Sequence, residues 1–509
     1  MSALLLAAAL AAAPASDAAY RDALRLVYAG QTEGALLRLS RLAAGPPPDP
    51  MGLALEGLAL AWKVEQRPDS QALDKQLLRL LDQCVELADA RLRADPGDDR
   101  ALLARGAAHG VRSRLHLFRA QKREAANAAV KMREDLGELL RREPDNGDAE
   151  FGLGLYDYYA DVLPRMTKLL RFLAGIPGGD RERGLERIRS AEKTAVFYRN
   201  EATYQLFVID ADYEKEPERA LERIAFLRRR FPGSPLWALL LARHERDRLG
   251  LYPESAGVAR EVLAACERGE PGYGPAVAAM ARVSQGESLL LDLRLGEGRR
   301  VLLPVKDGIP EAAWVGPTAR LLLGRCLELE GDRDAALAHY RAAAGGPDRG
   351  VRRQAREALA EPLPAAEVKA THFLAEGRRL REAGSPGRAG EAFRRALQAW
   401  PDCREASLRV AEAEIARGER GEELEHVLDG LARNEDPQPP WLRAWARLLL
   451  GRLRDLRGER GAAVKQYEMV FKAPSGLEEL RRLAAEGLDR PFVPPATPTN
   501  GAAPDKYQN

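Results

Sequence analysis

The chain has 509 residues, 78 of them Lys or Arg and 76 Asp or Glu, for a formal net charge of +2. That length exceeds a single compact core of ordinary size. The evenly mixed charge argues against a nucleic-acid partner, which would call for a basic stripe or tail. Strand formers are scarce while Ala, Leu, Arg and Glu dominate, so the sequence reads as nearly all α.

Residues 1–15 read MSALLLAAALAAAPA. The apolar run from Ala3 to Ala13 and the small-x-small pattern Ala13-Pro14-Ala15 predict a secretory signal peptide, too short for a permanent membrane anchor. The first basic residue is Arg21, so the amino terminus alone supplies the positive end; an Ala/Leu helix packed on the first repeat is the other reading. No Cys follows the run, which argues against a lipoprotein. Export predicts a periplasmic or otherwise exported protein of a Gram-negative-type bacterium, with a cytoplasmic location as the alternative.

Residues 16–240 predict N-terminal helical repeats with long helices, and 241–490 a second set. Near the start, Gly30, Ala35, Leu39, Leu42 and Pro47 form a half-repeat. Asp95-Pro96-Gly97 and Glu143-Pro144-Asp145 close long helices at a spacing near 48 residues, a stretched period read from helix-stop signals. Tyr204, Val208, Ala220, Ile224, Leu227 and Pro232 mark another unit. Leu323-Gly324, Leu327, Gly331, Ala336, Tyr340 and Ala343 mark the next. Phe373, Gly377, Leu380, Gly384, Ala389, Phe393, Ala396 and Pro401 match the tetratricopeptide unit of about 34 residues, two antiparallel helices with small residues where they cross. Val410-Ala411, Gly418, Glu423 and Val427 give a weaker copy, and Gly451, Gly458, Ala463, Tyr467, Val470 and Pro474 a last one. The fold expected is all-α, a right-handed superhelical solenoid of tetratricopeptide-type hairpins. From Pro491 the Pro-rich tail 491–509 lacks periodicity and is expected to be disordered.

The segment 151–199 departs from the repeats. It carries Tyr156, Tyr158 and Tyr159, then Pro164, then the loop Pro177-Gly178-Gly179-Asp180-Arg181. The Tyr cluster reads either as a recognition patch or as packing against the preceding helix. Leu163, Met166, Leu169, Leu170, Leu173 and Ile176 share one helical face, either the buried side of a hairpin or a lipid contact on the membrane surface. Asp180 is placed to cap the following helix; the loop lacks the Gly-Lys-Ser/Thr ending of a phosphate loop. In its Gly-x-Gly, aromatic cluster, Leu163-Pro164, Gly178-Gly179-Asp180-Arg181 and Gly184-Leu185, the segment resembles a tetratricopeptide family that includes fungal inclusion-body-clearance proteins, related animal proteins and bacterial members. The resemblance implies a helical scaffold without a known catalytic centre. Tyr156, Tyr158, Tyr159, Pro164, Gly178, Gly179, Asp180 and Arg181 are accordingly the candidate binding residues.

No enzyme motif emerges. His109 and His116 share a helix face but lack a third ligand and a His-Glu-x-x-His context. Cys84, Cys266, Cys326 and Cys403 have no close pair, and all four are expected inside helices as small apolar residues. No catalytic residue, metal or cofactor is expected. The function predicted is a non-catalytic scaffold whose partners are proteins or peptides, with a membrane-peripheral adaptor and an enzyme with an unrecognised site as the alternatives.

Overall fold

The computed structural model describes residues 16–45, 48–65, 70–162, 177–434, 438–472 and 478–495. The expected signal peptide, the 163–176 helix with Pro164, and the tail beyond residue 495 lie outside them. Among the described residues the regular structure is helical, in 24 α-helices with one π and one 3-10 turn. These helices succeed one another as antiparallel A/B hairpins of tetratricopeptide type.

The chain divides into two compact units. Unit 1 covers residues up to 214 and 222–237. Its hairpins pair α1 (Asp17–Tyr28) with α2 (Thr32–Ala43), α3 (Pro50–Glu65) with α4 (Asp74–Ala94), and α5 (Asp99–Phe118) with α6 (Lys122–Arg142). They continue with α7 (Gly147–Val162) against α8 (Arg181–Thr194), and α9 (Arg199–Asp212) against α10 (Pro217–Arg230). Helices α4 and α6 each run 21 residues, which is what stretches the period. Helix α4 buries a single stripe of Leu77, Leu81, Cys84 and Ala88, the pattern of a helix covered on one side. Helix α3, enclosed by α2, α4 and α5, is buried almost all round, from Met51 through Leu55 to Trp62. Within the 151–199 segment, α7 and α8 pack against each other as an ordinary hairpin.

Unit 2 covers 215–221 and 238 onward. It contains α11 (Pro235–His244), whose first residues belong to unit 1, then α12 (Tyr252–Glu267), α13 (Pro275–Leu291) and α14 (Leu295–Leu302). Next come α15 (Val315–Leu329), α16 (Arg333–Ala343) and a single helix α17 (Arg349–Ala360). Three hairpins complete the array: α18 (Ala365–Glu382) with α19 (Pro386–Ala399), α20 (Arg404–Ala416) with α21 (Glu422–Arg433), and α22 (Leu442–Leu456) with α23 (Arg460–Val470). Helix α24 (Glu478–Asp489) closes it.

One contact builds these hairpins. A Cβ on Gly324 would sit 2.5 Å from the ring of Tyr340, one on Gly377 2.4 Å from Phe393, and one on Gly451 2.5 Å from Tyr467. In each case the ring stands sixteen residues after the glycine, on the B helix. Gly286 and Leu302 repeat the spacing with an aliphatic partner at 2.4 Å. The backbone of the A helix thus forms the floor on which the B-helix side chain rests. The A–B turns need one residue in the left-handed region. Gly331, Gly384 and Gly458 supply it without a Cβ penalty, whereas Ala120, Lys215 and Leu293 adopt it with one.

Cys84 and Cys326 are buried in helices, as expected. Cys403 is not helical: it is the residue that precedes α20, where the Trp400 turn delivers the chain to the helix.

Candidate binding surfaces

Pro164 apart, which lies outside the described residues, the residues singled out between 151 and 199 are brought together at the α7–α8 hairpin. Tyr156 and Tyr158 are buried. The Tyr156 hydroxyl donates to the Pro177 carbonyl at 2.9 Å, and the Tyr158 hydroxyl to Glu214 Oε1 at 2.5 Å. Arg181 also donates to Glu214 through Nε, at 2.9 Å. Partial burial works against the Glu214 charge, but the bonds from Arg181 and Tyr158 outweigh it and hold the carboxyl below its ordinary range. Burial, reinforced by Glu214, raises the Tyr158 hydroxyl far above the usual tyrosine range.

The glycines serve close packing. A Cβ on Gly179 would fall 2.1 Å from the Asp157 carbonyl oxygen, and one on Gly184 2.5 Å from the Tyr158 nitrogen. Gly178 is exposed beside them. Asp180 caps α8, accepting from the Arg183 N–H at 3.0 Å. The buried Asp157 accepts from Arg183 at 3.0 Å and Arg187 at 2.6 Å. Of the three tyrosines, Tyr159 is the one left half-buried, its ring edge-on to the exposed Tyr213 at 5.5 Å. Tyr213 is therefore the exposed ring of this aromatic group, with Tyr159 partly buried against it.

A second constellation, invisible in the repeat pattern, lies where the A helices of unit 1 converge. Glu201 on α9 is 2 % exposed. It accepts from the Tyr28 hydroxyl at 3.2 Å, the Trp62 indole N–H at 3.0 Å and Arg114 at 2.6 Å. Arg114 forks onto Glu65 at 2.6 and 2.8 Å, with its guanidinium 4.9 Å from the Trp62 ring centre. Trp237 joins them, donating to the Tyr28 carbonyl at 2.7 Å, and its ring packs on Tyr28, Trp62 and Tyr204. Tyr28 and Trp237 lie at opposite ends of the sequence of unit 1. Their contact means that its A helices close on one another, filling the centre with aromatic rings around one satisfied ion triad. Such a centre is a specified core rather than an open groove.

Unit 2 contains a device used twice. In α15 the buried Glu328 accepts from the Tyr340 hydroxyl at 2.7 Å and from the Leu363 N–H at 3.1 Å, and it also pairs with Arg333. Arg333 in turn donates to the Ala358 carbonyl at 2.7 Å, tying down the end of α17. In α22 Asp455 accepts from the Tyr467 hydroxyl and from the Phe492 N–H, both at 2.8 Å, and from Arg460 at 3.1 Å. Arg460 donates to the carbonyls of Gly487 and Leu488 at the end of α24, each at 2.7 Å. Residues 314–340 and 441–467 are identical at 14 of 27 positions, including Leu-Leu-Leu-Gly-Arg in both. This segment is an internal duplicate at an offset of 127 residues. The signal was present in the sequence, as a match closer than generic repeats require.

After α24 the chain runs extended through Pro491–Pro495. Phe492 and Pro494 turn inward while Pro491, Val493 and Pro495 are exposed, the period-two alternation of a docked strand. The Phe492 ring lies 4.8 Å from the Arg452 guanidinium on α22. Pro494 rests by Gly418 at the end of α20, 3.7 Å from where a Cβ would be. Elsewhere in unit 2 an open groove of about 1010 Å³ is lined by Leu374, Trp400, Arg404, His426, Val427 and Leu431. Glu405 in its wall is committed to Arg378 at 2.5 Å. Among the described residues no three His, Cys, Asp or Glu side chains are grouped to hold a metal ion, and no helix is long and apolar enough to cross a membrane.

No family model matches the chain, and no curated protein matches it. Among solved structures, a human IFIT1 dimer with PPP-AAAA is 12% identical, with 90% of this chain and 95% of that one covered at a TM-score of 0.30. Yeast Tom70 is also 12% identical, with 92% and 94% covered at a TM-score of 0.25. The tetratricopeptide architecture rests on the hairpins themselves.

Proposed function

We propose that this protein is a non-catalytic helical-repeat scaffold that binds extended segments of other proteins. The supporting observation is that unit 2 already holds one: Pro491–Pro495 lies across α20 and α22 through alternate side chains and a backbone N–H, the way a repeat array engages a peptide. The closed, ion-paired centre of unit 1 supports a division of labour in which unit 1 gives rigidity and unit 2 presents the binding surface. Affinity capture from the native host, with the captured material identified by mass spectrometry, tests the reading. Recovery of a reproducible set of proteins, reduced by changes on α20 and α22 but not by changes at Tyr159 and Tyr213, is the expected result.

The setting we propose is the bacterial cell envelope. Its support is the apolar run Ala3–Ala13 ending in Ala13-Pro14-Ala15. Fractionation of cells, with sequencing of the mature amino terminus, tests it; retention of Met1 in a cytoplasmic fraction rejects export and leaves the scaffold reading intact. Kinship with the inclusion-body-clearance group rests on the order of Gly152, Gly154, Tyr156, Gly178, Gly179, Asp180, Arg181 and Gly184, and belongs to the same proposal.

A further inference from the structure

The two copies of the carboxylate–tyrosine–arginine device differ in the path the chain takes as it leaves them. In the inner copy the chain passes Pro362, bonds Glu328 through the Leu363 N–H and proceeds directly into α18. In the outer copy it passes Pro491, bonds Asp455 through the Phe492 N–H and continues as exposed extended chain, with no further hairpin among the described residues. The same backbone position thus leads into a further helix in one copy and into extended chain in the other.

The seat of Phe492 has a selectivity of its own. Arg325, the inner counterpart of Arg452, donates to Gln354 at 3.0 Å, and the residue in the seat is a leucine. In the outer copy no carboxylate among the described residues lies within ion-pair distance of Arg452, and its guanidinium faces the Phe492 ring instead. Two residues on, Pro494 rests against Gly418, which takes φ 85° in the turn after α20. The outward residues, with Val493 77 % exposed, carry no part of the contact. Three elements therefore define what the seat recognises: an aromatic ring for Arg452, a backbone N–H for Asp455, and a proline two residues later for Gly418.

We propose that Phe492–Pro494 is the resident occupant of a peptide site on α20 and α22, and that the site takes from other proteins an extended segment carrying an aromatic residue followed two positions later by proline. This rests on the scaffold reading and adds the ligand class and the competition. Because the resident segment is held by two side chains and one N–H at the edge of the array, a foreign segment binds by displacing it, and the site is masked until it does.

The test uses the full chain with Val493→Cys carrying a nitroxide, in a Cys266→Ser background. The probe is the synthetic peptide Arg-Pro-Phe-Val-Pro-Pro, beside its Phe-to-Ala form. The expected result is saturable mobilisation of the nitroxide by the first peptide, with at least a tenfold higher concentration needed for the second. A Phe492→Ala chain, checked by circular dichroism, is expected to bind the fluorescent peptide at least tenfold more tightly than the natural chain. A nitroxide that stays immobilised at saturating peptide overturns the proposal, even if Phe492→Ala fails to fold. Mobilisation that depends on protein concentration without peptide overturns it in favour of exchange between copies. Capture of partners that is indifferent to Phe492 and Arg452 sinks this proposal alone, whereas no capture by any form sinks the scaffold reading with it.

Discussion

Arg114 and Glu201 are joined at 2.6 Å in the centre of unit 1, beneath the ring of Trp62, although they stand on helices two hairpins apart. Burial opposes the Arg114 charge, but Glu201 and Glu65 raise its pKa above the ordinary arginine value. Glu201 also satisfies Tyr28 and Trp62. Glu201→Ala leaves three buried donors short of an acceptor. It is expected to destabilise unit 1 by about 3–5 kcal/mol, the range for breaking a buried ion pair. Tyr28→Phe removes one hydrogen bond and is expected to cost about 0.5–1.5 kcal/mol. Urea unfolding followed by tryptophan fluorescence reads both. Equal effects would mean that the carboxylate's charge plays no part.

Glycines on the A helices and glycines elsewhere have opposite signs. Gly377→Ala drives a methyl into the Phe393 ring and is expected to destabilise by about 1–3 kcal/mol through overpacking. Gly137 lies inside α6 with no atom within 4 Å of its added Cβ. Gly137→Ala is expected to stabilise by about 0.5–1 kcal/mol, because only helix propensity changes. Thermal melts of the two variants against the parent check the pair.

Ala120 holds the left-handed conformation, φ 59°, at the α5–α6 turn, and its side chain is exposed. Ala120→Gly removes the steric cost of about 1–2 kcal/mol while giving back part of it as chain entropy. A net gain of roughly 0.5–1 kcal/mol is expected from chemical denaturation. A loss would show that the turn is held in this geometry by more than its backbone preference.

Two buried groups give stability opposite pH dependences. Burial, aided by Arg112, Lys131 and Arg105, pushes His109 down to about 4. The unfolded chain binds that proton near pH 6.5, so the contribution of His109 is complete above about 6.5 and is lost as pH falls toward 4. Burial, against the pull of Arg378 at 3.6 Å, pushes Asp292 up to about 6. The folded carboxyl then keeps a proton that the unfolded chain releases near pH 3.9, so its contribution is complete below that and is lost as pH rises through 6. His109→Gln is expected to flatten the loss of stability on acidification, and Asp292→Asn the loss as pH rises. Denaturation midpoints measured from pH 4 to 7 check both signs.

The local parts of this fold were legible in the sequence. Gly377 and Phe393 announce a hairpin because the pair is sixteen residues apart and both types are unusual enough to stand out. Gly331, Gly384 and Gly458 mark turns for a backbone reason that holds in any context. Pro96 and Pro144 reveal the long helices. The α13–α14 hairpin escaped because Leu302, among many leucines, stands where the other hairpins carry a ring. The Glu201 centre escaped for a different reason: Tyr28, Trp62, Arg114 and Trp237 reach it from separate hairpins, and only closure of the A helices brings them together. Tyr158 likewise left recognition and packing both open in the sequence, because Glu214, the acceptor of its hydroxyl, stands 56 residues on.

The duplicate at 127 residues also constrains how such a chain changes length. Its joint is a carboxylate that clasps the backbone two helices later, so Glu328 and Asp455 each close a module whose exit strand has the same backbone N–H waiting for whatever comes next. Inserting a whole module between Leu363 and Phe492 preserves both clasps and deleting one leaves a single clasp intact, whereas a partial change strands a buried carboxylate without its donor. The array is therefore quantised: it grows or shrinks in steps of one clasp to the next, and a chain rebuilt with one module fewer should lead into the same extended segment.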